Sequence, residues 1–90
     1  MKKIAININE CPVTVKVSKW TKRPGVNGIY VIADRESISF IKECLELALN
    51  IEINTYVNGM NGFGIHIPDH IDSRLNEDTI IRCLLNTNLK

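Results

Sequence analysis

Ile4, Ile6 and Ile8 alternate with Ala5, Asn7 and Asn9, the period-2 rhythm of a strand with one buried face. Val13, Val15 and Val17 alternate with Thr14, Lys16 and Ser18 in a second stretch rich in β-branched residues, which also reads as strand. Glu10-Cys11-Pro12 separates the two as a short turn, so the pair is expected to form a hairpin. Two turn signals then follow, Pro24-Gly25 and Asn27-Gly28, suited to type II and type I′ turns respectively. Residues 29–33 are apolar on both parities and predict a central strand covered at least in part on both faces.

Asp34 is a good N-cap, and Glu36 in the following turn complements the helix dipole. Ile38, Ile41, Leu45, Ala48 and Leu49 fall at helical spacing and define one apolar face through about Asn50. A fourth strand is expected immediately afterwards, with Ile51, Ile53, Thr55 and Val57 on one side. Residues 58–62 are loop by composition, and residues 63–67 read as a fifth strand ended by Pro68. Residues 69–75 fit neither pattern cleanly and suit a single helical turn. Asn76 should cap a last helix, with Glu77 and Asp78 in its first turn and Ile80, Ile81, Leu84 and Leu85 facing inward.

The expected order is βββαββα, an α+β two-layer sandwich. Two apolar helices can cover one face of a mainly antiparallel five-stranded sheet and leave the other wet. The core face is assigned Ile4, Ile6, Ile8, Val13, Val15, Val17, Ile51, Ile53 and Val57. The open face is assigned Asn7, Lys16, Ser18, Trp20, Tyr30, Asn54, Tyr56 and His66.

Ninety residues, 44% hydrophobic and 23% charged, suit one ordered domain spanning residues 1–90. No apolar run approaches the roughly 20 residues of a membrane-spanning helix. Met1-Lys2-Lys3 resembles the start of a signal peptide, but Asn7, Asn9 and Glu10 interrupt any hydrophobic segment behind it. A soluble, cytoplasmic chain without membrane association is expected. Cys11, Cys44 and Cys83 are odd in number and widely spaced, unlike a disulfide scaffold. Cys44 and Cys83 each fall one turn after an isoleucine and read as small core side chains, whereas Cys11 should be exposed. Fourteen isoleucines and ten asparagines are what AT-rich codons would produce, as in an AT-rich bacterium, phage or plasmid.

Charge changes the picture once it is divided. Residues 1–33 hold six basic side chains against Glu10, a balance of +5, and residues 34–90 hold five against nine acids, a balance of −4. The formal net charge of +1 is their sum. Trp20 lies among Lys16, Lys19, Lys22 and Arg23, within a stretch that has no acid between Cys11 and Ala33.

Signals for chemistry are weak. His66, Asp69, His70 and Asp72 could ligate a metal, but Pro68 breaks the helix on which two histidines four apart would converge. Gly59, Gly62 and Gly64 imitate a phosphate loop without the helix N-terminus that such a loop feeds. They read instead as positive-φ positions of a hairpin loop. No serine has the setting of an activated nucleophile. No enzymatic activity, cofactor or metal is expected.

A binding module remains. The candidate contact residues are Lys16, Lys19, Trp20, Lys22, Arg23, Tyr30, Tyr56, Met60 and Phe63, with the last two placed at the tip of the glycine loop, where either Phe63 is exposed for contact or it folds back on the core. The expected partner is a protein with an acidic patch. By analogy of size and composition alone, the chain would be an inhibitor of the toxin-immunity, antitoxin or phage anti-defence kind. The alternative is a single-stranded nucleic-acid binder that joins phosphate neutralisation to base stacking.

Overall fold

The computed structural model describes residues 2–20, 27–57, 62–68 and 76–86. The order is β1 (Lys2–Ile8), β2 (Cys11–Trp20), β3 (Gly28–Asp34), α1 (Arg35–Leu49), β4 (Asn54–Val57), β5 (Gly62–Pro68) and α2 (Glu77–Leu85). One antiparallel sheet runs β1-β2-β3-β5-β4, which makes β3 its central strand. The βββαββα α+β arrangement expected from the pattern is therefore the one observed.

Both helices pack on the same face. Val15, Val17, Ile29, Val31, Ile65 and Ile67, all buried, meet Ile38, Ile41, Leu45, Ile80 and Leu84 in one core. These strand positions share one parity, since Val17 pairs with Val31 and Val31 with Ile65. Asp34 caps α1 by accepting a hydrogen bond from the Ser37 N–H, and Asn76 caps α2 by accepting from Thr79. Both carboxamide and carboxylate oxygens occupy the role that free helix N–H groups require.

Several expected details are corrected. The β1–β2 turn is Asn9-Glu10, both with positive φ, while Cys11 and Pro12 already belong to β2. A two-residue hairpin loop with the right-handed twist of its strands needs those angles. β4 starts at Asn54 rather than Ile51, because α1 holds the preceding segment itself. The Glu46 carbonyl accepts from Asn50 and Ile51, and its carboxylate accepts from Ile53 at 2.9 Å. Asn50 is left-handed, as a helix-ending asparagine can be. Ile53 is buried, but Val57 is 67% exposed at the end of the edge strand β4. Leu85 and Ala48, expected on the inward faces, are exposed at the margins of their helices. Gly62 and Gly64 are strand residues of β5, and neither has a positive φ. Cys44 is buried, Cys83 half-buried and Cys11 exposed.

Candidate site on the open sheet face

Opposite the helices, the register builds three rows across the sheet. Ser18, Tyr30, His66 and Asn54 form one. Lys3, Lys16, Ile32, Gly64 and Tyr56 form the next. Position 20 joins Gly28 and Pro68 in a third. No element among the described residues covers this side of the sheet, where Tyr30, Ile32, Tyr56 and His66 are half-buried.

Two glycines seat the rings. A Cβ on Gly64 would lie 2.4 Å from Tyr56 Cζ, so the Tyr56 ring crosses directly over that residue. A Cβ on Gly28 would lie 2.7 Å from His66 Nε2 and 2.3 Å from the Ile67 carbonyl oxygen. His66 Nε2 also stands 3.4 Å from the Asn27 carbonyl oxygen, which accepts when that nitrogen carries the proton. Tyr30 lies between the two seats. It stacks on His66 with centroids 4.6 Å apart and planes 15° from parallel, and meets Tyr56 edge-on at 6.0 Å. Both are favourable ring geometries. Burial, and then the neighbouring Tyr30, push the Tyr56 hydroxyl above the usual phenol range, so it stays neutral and a donor.

The charges divide by layer only in part. Lys3 and Lys16 are exposed on the open face, and its one carboxylate among the described residues is Asp34, at the strand end and engaged as the α1 cap. The helices and the segments beside them carry Glu36, Glu43, Glu46, Glu52, Glu77 and Asp78. Of the +5 half, Lys3 and Lys16 lie on the open face while Lys2 and Lys19 have helix-side parity, and the acids of the helical layer share it with Arg35, Lys42 and Arg82.

Of the expected contact residues, Lys16, Tyr30 and Tyr56 come together on this face, and Trp20 has the same backbone parity. Lys19 pairs with Ile29 and has helix-side parity. Phe63 also faces the helices, packed on the core with the Arg35 guanidinium 4.8 Å above its ring, rather than at a loop tip. It is opposite Ala33 in the register, and that parity fixes its side. Lys22, Arg23 and Met60 lie outside the described residues. Lys3 and Ile32 were not among the expected contacts, nor was His66. Strand alternation alone places Lys3 beside Ala5 and Asn7, and the value of Ile32 emerges only once β3 is seen to be open on one side.

Among the described residues no group of three His, Cys, Asp or Glu side chains could hold a metal ion, and Asp69, His70 and Asp72 lie outside them. No helix among the described residues is long and apolar enough to cross a membrane. No protein-family model matches the chain, and no curated protein or solved structure is significantly similar to it.

Proposed function

We propose that the protein is a non-enzymatic binding module that takes a protein partner on its open sheet face. The observation that carries this reading is the Tyr30–His66–Tyr56 cluster, held on glycine seats with no helix of the described residues over it. Tyrosine offers large contact area at low conformational cost, and such residues dominate binding energy at interfaces. The apolar Ile32 beside the rings and the neutral Ser18 and Asn54 around them suit a protein surface. The role that goes with this reading is an inhibitor's, in which the face occludes part of a larger macromolecule.

The test is affinity capture from a lysate of the native host, run in parallel with three baits. The wild type and the helix-layer control Glu43→Ala should retain the same stoichiometric protein, and the Tyr30→Ala/Tyr56→Ala variant should lose it. Failure of the wild type to retain any stoichiometric partner, or retention by all three baits, refutes the reading.

A second reading is favoured by one feature, the near-parallel Tyr30–His66 stack with Lys16 close by on the same face. Stacked rings beside cations are how single-stranded nucleic acid is held. Titration of Trp20 fluorescence with poly-dT at low salt tests it. Salt-sensitive quenching supports nucleic acid, and an unchanged signal removes that reading.

A further inference from the structure

Lys3 and Lys16 stand directly opposite each other on β1 and β2, both exposed. Like charges in that position repel. The salt bridges among the described residues go elsewhere: Lys2 reaches Asp78 on the helix side, and Lys42 pairs with Glu46 along α1. Neighbouring Thr14 and Asn7 are neutral, and Asp34, which accepts from the Ser37 N–H at the far end of β3, forms no salt bridge with either lysine. The open face therefore carries a pair of cations that no salt bridge among the described residues engages. Immediately beside the pair, in the same row, are Ile32 and the Tyr56 ring lying over Gly64.

We propose that this row receives an extended acidic segment of the protein partner, with a carboxylate over Lys3 and Lys16 and an apolar side chain two residues later over Ile32 and Tyr56. This rests on the reading of the open face as a protein-binding surface and specifies its chemistry. The spacing follows from the sheet. Strands lie ~4.8 Å apart, so the midpoint of the lysine pair is about 7 Å from the Ile32 position. Residues i and i+2 of an extended segment point the same way and are separated by ~6.7 Å. The pattern recognised is thus acidic-x-apolar on a segment crossing the strands. A carboxylate between two ammonium groups supplies the specificity, because any other residue type there leaves the repulsion in place.

The probe is the capped peptide Ser-Glu-Thr-Leu-Ser, titrated into the isotopically labelled full chain and followed by amide chemical shifts. The shifted control is Ser-Thr-Glu-Leu-Ser, in which acid and leucine are adjacent. The expected result is a millimolar complex that perturbs residues 3, 16, 32 and 56. Binding should be about 5-fold weaker for the control peptide and about 10-fold weaker for the exposed-site variant Lys3→Gln/Lys16→Gln, and should weaken as salt rises. Equal affinity for both peptides, or shifts confined to the helical layer, overturns the proposal. A twenty-nucleotide poly-dT that perturbs the same residues at lower concentration also overturns it and assigns the row to nucleic acid. In the capture experiment, a partner lost by Tyr30→Ala/Tyr56→Ala but kept by Lys3→Gln/Lys16→Gln sinks the acidic segment and leaves the binding face standing. Retention of no partner by the wild type sinks both.

Discussion

Tyr56 lies across Gly64, occupying the space that any side chain at that residue would need. The conflicting atoms are Cζ, Oη and Cε1, the far end of a side chain that can swing away. Gly64→Ala should therefore change stability by less than ~1 kcal/mol, since a strand alanine is tolerated once the ring has moved. The ring contact with Tyr30 should vanish from nuclear Overhauser spectra, and partner capture should weaken. Gly28→Ala sets the contrast. Its obstruction is the Ile67 backbone carbonyl, and its φ of 156° strains an L-residue. Chemical denaturation should show a loss of about 1–3 kcal/mol there.

The contrast shows why half of the candidate site could be read from the sequence. Lys16, Tyr30 and Tyr56 share a face because each alternates with a β-branched or otherwise apolar neighbour, and alternation is a local property. Which strands lie side by side is not local. The β3-β5-β4 order brings His66 under Tyr30 and Tyr56 over Gly64, although more than thirty residues separate Tyr30 from His66 along the chain. Phe63 is ambiguous in the sequence for the same reason, because only its pairing with Ala33 sends it to the helices. Edge positions depart in the opposite sense: Val57 fits the core pattern, yet it lies at the end of the edge strand and is largely exposed.

The β1–β2 turn holds an unrelieved backbone cost. Glu10 sits at φ 67°, where the Cβ of an L-residue crowds the following carbonyl. Asn9 tolerates the same region better, through its short polar side chain. Glu10→Gly converts the loop to Asn-Gly, the preferred type I′ pair. It should stabilise the protein by about 0.5–1 kcal/mol, a rise in Tm of roughly 3–6 °C for a domain of this size. A calorimetric scan decides it, and an unchanged or lower Tm would refute the strain.

Acid should loosen the joint between α1 and β4. The Ile53 N–H, and then Lys42, hold the Glu46 carboxyl below the usual range, and Lys2 does the same for Asp78. A carboxylate whose folded pKa is depressed contributes stability that is present above its unfolded value and lost as pH falls through the folded one. The contribution is therefore present at neutral pH and fades below about pH 4. Lys2 is raised by Asp78, so its share is present below the unfolded lysine value and lost only at strongly alkaline pH. Glu46→Gln should flatten the acid limb of a Tm-against-pH curve below about pH 4.5 while leaving the alkaline limb unchanged. An acid limb identical to that of the wild type would show that Glu46 does not hold this joint.

Tyr30 and Phe63 occupy opposite faces of the same sheet, which separates binding from folding in a pair of single variants. Phe63 is half-buried against the helices with Arg35 above it. Phe63→Ala should cost about 2 kcal/mol, roughly half the value for a fully buried phenylalanine. Partner affinity measured well below the transition should stay within twofold of wild type. Tyr30→Ala removes a stack on His66 and an edge contact with Tyr56, both on the open face. Its stability cost should be about 1–2 kcal/mol, but affinity should fall by tenfold or more, as for an aromatic at the centre of an interface. Tyr30→Phe keeps the ring and should restore most of the binding. The reverse outcome, binding lost with Phe63 and kept without Tyr30, would move the interface to the helical side.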